Sequence, residues 1–243
     1  MVARAALIWA WPLVILPFTS ILTFILTLII CNSVPNNAPK NEKFPQISEL
    51  GTGEAYIYFV IGFSVLLPQL LLVLIGRLQF LFQTEIINRI LLCIIHAVAF
   101  IASIFLLVMA SVNLDMNQYV HLTGAFGMFG CISLYCFLHT ILIFYLFIRW
   151  SSAPQHSNII YSIWFLLSCV LLITFFIVWL MTSTGIPEYI AAASPFLYFL
   201  GFVPQFWSQA RAKQRASAYS EPLQFSNERN AWTLPVFICL RMK

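Results

Sequence analysis

The chain has 243 residues, of which 61% are hydrophobic and only 8% charged, and its mean hydropathy is +0.92. Such proportions would aggregate a water-soluble domain, and no basic strip alternates with aromatics as a nucleic-acid binder requires. The net charge of +4 carries information through its distribution along the chain.

In hydrocarbon only a helix satisfies its own backbone, and a core of about 30 Å takes about 20 helical residues. Six apolar blocks of that length predict an all-α polytopic bundle of six transmembrane helices, spanning about 5–31, 55–76, 88–112, 119–148, 158–182 and 187–208. The first block holds Trp9, Trp11, Pro12 and Pro17 and is too long for a signal-peptide core, which predicts an uncleaved first helix. A loop over 32–54 follows, where Pro35, Pro39, Pro45, Gly51 and Gly53 break regular structure and Asn36-Asn37-Ala38-Pro39 forms a turn. A connection of that length is functional or disordered. In the second block Pro68, followed by Gln69, predicts a kink. His96 falls mid-span in the third block and His139 deep in the fourth, where hydrogen-bonded packing between helices is the expected role. Gly124, Gly127 and Gly130 stand three apart in the fourth block and predict close helix packing. Short connections at 113–118 and 183–186 make the third and fourth spans, and the fifth and sixth, antiparallel hairpins. The membrane domain ends near 210, and a tail over 211–243 opens with Arg211, Lys213 and Arg215, a stop-transfer anchor or an anionic-lipid contact. The apolar piece 232–240 is too short to span and fits the interface.

With the first residue on the cytosolic side, that side receives Arg4, Arg77, Arg89, Arg149, Arg211, Lys213, Arg215, Arg229, Arg241 and Lys243, against Lys40 and Lys43 opposite. The positive-inside rule therefore places both termini in the cytosol and the 32–54 loop in the lumen. Glu49, Gly51, Glu54, Asp115, His121 and Glu188 then form a lumenal polar rim suited to a lipid headgroup, with Asp115 expected to orient the His121 imidazole. An interfacial histidine beside a solvated aspartate is the plainer alternative. The six cysteines show no pattern of a disulfide framework or zinc site. No phosphate loop, nucleophile elbow or dinucleotide fingerprint is present, so no metal, cofactor or catalytic residue is expected.

Three stretches resemble the Frag1/DRAM/Sfk1 family, which includes the N-terminal part of the Cwh43 proteins. They are Phe44-Pro45-Gln46-Ile47-Ser48-Glu49-Leu50-Gly51-Thr52-Gly53-Glu54, His121-x-x-Gly124-Ala125-x-x-x-Phe129, and the pair Glu188-Tyr189. An alternative alignment sets Glu188 against a lumenal-loop acid of the family and leaves Leu197-Tyr198 in the place of that pair. The resemblance covers nearly the whole chain and implies a six-helix protein with a cytosolic N-terminus. Cys31 to Asn36 and Gly62-Phe63 with Pro68-Gln69 are similar to the Frag1 branch, which implies GPI-anchor lipid remodelling in the Golgi or ER and a glycolipid partner. Gly51-Thr52 and the His121 motif are similar to DRAM-type members, which implies a lysosomal or plasma-membrane role in autophagy or as a phosphoinositide-kinase scaffold with a cytosolic protein partner.

Overall fold

The computed structural model describes residues 2–35, 44–149 and 158–220, with side chains described between Trp11 and Arg215 in those segments. The helices are α1 (Val2–Ser33), the short α2 (Ile47–Leu50), α3 (Tyr56–Phe82), α4 (Arg89–Ser111), α5 (Leu114–Ile148), α6 (Ile159–Thr182), α7 (Gly185–Leu200) and α8 (Val203–Ser220), with a 3-10 turn over Gly53–Ala55 ahead of α3. Among the described residues there is no strand. Six helices, with α7 and α8 acting as one, are long and apolar enough to cross a membrane, so the fold is an all-α membrane bundle.

Asparagine starts three of these helices. The side chains of Asn88, Asn113 and Asn158 accept from the amides of Ile90, Met116 and Ile160 at 2.8, 2.7 and 2.9 Å, filling donors that the first turn leaves unpaired. In α5 the backbone is extended at Asn117 (φ −160°, ψ 93°), and its side chain accepts from the Val120 amide at 3.1 Å. That second cap restarts α5, and the membrane-crossing part begins there. Pro68, the expected kink, lies within α3, which runs on past it. Beside it, Gln69 and Thr23 exchange hydrogen bonds at 3.1 and 3.4 Å and tie α3 to α1.

The helices pack as a closed ring in the order α1, α3, α4, α5, α6, α7–α8 and back to α1. Closing the ring gives every helix one face toward the interior and one toward lipid. Ile15, Phe18, Leu22, Ile25 and Ile29 make the outward stripe of α1, while Leu13, Phe24 and Cys31 face in. Small residues permit the closest approaches. A Cβ on Gly124 would lie 2.8 Å from the Met109 backbone nitrogen, and one on Gly127 would overlap the Phe105 ring. The expected stripe stops there, because Gly130 faces open space and packs against nothing.

One sequence expectation is corrected. Arg77, assigned to a cytosolic connection, lies inside α3, which continues to Phe82, and its side chain is fully buried. Leu78, Phe80, Leu81 and Phe82 resume the apolar run after it, so the helix has no reason to end at residue 76. The turn at 36–39, Lys40, Lys43 and the piece 232–240 lie outside the described residues.

Candidate functional site

Within the ring lies a cavity of about 80 Å³. Its wall comes from α1, α3, α4, α5 and α7, with Phe24, Phe63, Leu66, Leu106, Phe129 and Phe196 as its large members. On α4 the wall runs from Ala99 to Met109, which at 1.5 Å per residue gives about 15 Å along the bundle axis. Among the described residues, the only polar side chains in the wall are Ser103 and Glu188. A cavity so lined has few partners for water and favours apolar contents.

At one end, the loop end, the segment from Phe44 to Ala55 lies across the ring. Glu188, near the start of α7 and 4% exposed, accepts the Ile47 amide at 3.0 Å on its Oε2. The carboxylate thereby holds the first turn of α2 and forms part of the cavity wall. Gln46 donates its side-chain amide to the Ser183 carbonyl at 2.5 Å, and its backbone amide to Glu49 at 2.9 Å. The Gly53 amide donates to Asp115 at 3.4 Å, and the Tyr56 hydroxyl to the Ser111 carbonyl at 2.5 Å. A Cβ on Gly185 would come 2.5 Å from the Phe44 carbonyl oxygen, and one on Gly51 would meet the Phe59 ring at 2.8 Å. Two glycines thus let the segment sit flush on the helix ends. Cys31 is buried as a free thiol under Ala55.

The six residues expected on a polar rim do gather at this end, but in different roles. Glu54 and Asp115 are exposed, Glu49 is half-buried, and Gly51 is buried against Phe59. Glu188 and His121 lie inside the protein rather than on a rim. His121 does not pair with Asp115. Its Nδ1 donates to the Val112 carbonyl at 2.7 Å, while Asp115 takes the Gly53 amide. The local cause is the extended Asn117, which separates the turn bearing Asp115 from the helix bearing His121. The Nε2 of His121 has no hydrogen-bond partner.

The opposite end, the tail end, holds a polar network that the sequence indicated only through isolated histidines. Arg77 donates through Nε to His139 Nε2 at 3.0 Å and through Nη1 to the Gln205 side-chain oxygen. Accepting at Nε2 makes His139 a donor at Nδ1, toward the Tyr198 hydroxyl at 2.8 Å. That hydroxyl donates onward to the Cys136 carbonyl at 3.0 Å and so accepts from Thr140 at 2.9 Å. The guanidinium also lies 4.8 Å from the Phe202 ring centroid. Arg77, Tyr135, Tyr198 and Gln205 were not singled out from sequence. The signal available for Arg77 was a cation within an unbroken apolar run; Tyr198 appeared only at the place of a family pair whose acid is missing there, and the others gave none.

No curated protein and no solved structure matches the chain. The family model described as the Frag1/DRAM/Sfk1/Cwh43P N-terminal domain matches residues 6–209, nearly all of the helix ring, and the chain belongs to that family.

Proposed function

We propose that this membrane protein handles lipid by taking a single acyl chain into the ring, and that it does so for the lipid remodelling of GPI anchors in the secretory pathway. The observation that carries the reading is the apolar cavity within the ring, about 15 Å long, with one carboxylate at its loop end. The almost wholly apolar wall of this slot along that length suits a hydrocarbon chain. The exposed Glu54 and Asp115, with Glu49 beside them, offer acceptors to a glycan headgroup at the loop end, which the arginine distribution assigns to the lumen.

The test fills the slot. Ala102, 4% exposed, lines it, and Ala102→Phe would occupy it from α4. In cells lacking the protein, wild type should restore the surface level and lipid composition of GPI-anchored proteins, whereas the filled variant at equal abundance should not. Full restoration by Ala102→Phe, or unaltered anchors in cells lacking the protein, would remove the case.

A second reading follows from α8, which continues to Ser220 and presents Arg211 and Arg215 on its exposed surface, with Arg211 over the Trp207 ring at 4.8 Å. A basic helix leaving the bundle suits a scaffold that recruits a cytosolic partner. Deleting 211–243 abolishes function under that reading and spares it under the first.

A further inference from the structure

The polar network at the tail end contains more hydrogen-bonding capacity than the protein itself uses. Arg77, His96 and Tyr135 are each fully buried, and each keeps an atom with no hydrogen-bond partner: Arg77 Nη2, His96 Nε2 and the Tyr135 hydroxyl. The three surround His139. Its ring lies 5.5 Å from Tyr135 and 6.2 Å from His96, and its Nε2 is 3.0 Å from Arg77 Nε. His96 and Tyr135 are themselves 5.4 Å apart, ring to ring. An unsatisfied buried polar atom costs about 1–3 kcal/mol, and a charged group more. Three such atoms in one cluster inside a membrane ring constitute a site rather than an accident of packing.

The charge is also unbalanced. The groups that hold Arg77, the His139 imidazole and the Gln205 amide, are neutral, and among the described residues no carboxylate pairs with it. A cation in a bundle interior is expected to have a counter-ion.

Position identifies the ligand. Leu74, Ala99, Ile132 and Phe199 form the tail-end wall of the slot, and each lies three residues, about one helical turn, from Arg77, His96, Tyr135 and Phe202 respectively. The cluster therefore lies one turn beyond the tail-end wall of the slot, and none of its three residues lines the slot itself. An apolar slot one turn short of a guanidinium that has no counter-ion matches an unbranched chain with a terminal acid.

The donor and acceptor pattern narrows the acid. His96 donates through Nδ1 to the Leu92 carbonyl at 2.9 Å, so its Nε2 presents a lone pair. Arg77 Nη2 donates, and so does the Tyr135 hydroxyl. A fatty acid that passes its single proton to His96 Nε2 becomes a carboxylate whose oxygens accept from all three groups and whose charge offsets Arg77. A sulfate or phosphate diester brings no proton for that nitrogen.

We propose that the cluster of Arg77, His96 and Tyr135 binds the carboxyl end of a free long-chain fatty acid whose chain lies in the slot. The proposal rests on the slot as a single-chain lipid site and is independent of GPI anchors.

The test is equilibrium binding of oleic acid to the delipidated full-length protein in nanodiscs, read by displacement of a fluorescent polyene fatty acid. Oleyl alcohol, with the same chain and no acid, and inorganic phosphate are the comparison probes. Oleic acid should bind at least tenfold more tightly than oleyl alcohol, and phosphate should not displace the probe. Tyr135→Phe removes only a hydroxyl that has no partner, so its apo melting temperature should hold or rise while oleic-acid affinity falls about tenfold. Arg77→Gln should remove the preference for acid over alcohol. Equal affinity for acid and alcohol would overturn the proposal, as would an unchanged affinity in Tyr135→Phe or displacement by phosphate. Acid-selective binding with normal GPI anchors in cells lacking the protein would uphold the site and sink the anchor reading alone.

Discussion

Glu188 is the fastening of the segment over the loop end, and replacing it should release that segment without unfolding the ring. The Glu188 carboxylate is 4% exposed and accepts the Ile47 amide at 3.0 Å, and Ile47 is itself 5% exposed. In Glu188→Ala the amide keeps its burial and loses its acceptor. Leaving a buried donor without an acceptor costs about 1–3 kcal/mol, and each 1.4 kcal/mol is a factor of about ten in an equilibrium. Opening of the segment should therefore become roughly five- to a hundredfold more frequent. Hydrogen exchange in nanodiscs reads this directly, because the rate at the Ile47 amide follows the open population. Glu188→Gln retains a carbonyl acceptor and should show the smaller part of the effect. Amides deep in the ring, such as that of Leu106, should exchange as in wild type. If the Ile47 amide in Glu188→Ala is as protected as before, the carboxylate does not hold the segment and its burial needs another explanation.

Four further outcomes follow from the geometry. Gly124→Leu should cost about 1–3 kcal/mol by forcing α5 off the Met109 backbone, while Gly130→Ala, which meets open space, should be neutral or stabilise by up to about 1 kcal/mol; thermal unfolding in detergent separates them. Tyr198→Phe removes the acceptor for His139 and Thr140 and the donor to the Cys136 carbonyl, so the melting temperature should fall where Tyr135→Phe leaves it level or raised. Asn117→Ala should lose about 1 kcal/mol as the cap of the membrane-crossing part of α5, measured by the same melt. For orientation, cysteines placed at the exposed Glu54 and Glu85 should differ in sealed microsomes, where an impermeant thiol reagent should reach residue 85 directly and residue 54 only after permeabilisation; labelling of residue 54 in sealed microsomes would reverse the assignment of lumen and cytosol.

The sequence by itself determined the solvent and the architecture. Runs such as Ile90 to Ala110, with His96 and Ser103 as their polar interruptions, have no stable form in hydrocarbon other than a helix, so six spans followed from composition alone. It also marked the segment Phe44 to Glu54 and the acids around it, because prolines and glycines cannot continue a span. What the tertiary structure decided was pairing. Asp115 and His121 are six residues apart and seemed natural partners, yet an extended Asn117 directs one to the Gly53 amide and leaves the other on the Val112 carbonyl. Arg77, His139 and Gln205 come from three separate spans and meet only because the ring closes. One-dimensional periodicity gives the face on which a side chain lies; it carries no information on which distant helix that face will meet, and in a ring whose every span is apolar, many closures suit hydropathy equally well. Selecting among them took small-residue contacts such as Gly124 on Met109 and a handful of long-range hydrogen bonds, whose energies depend on geometry that sequence spacing does not encode.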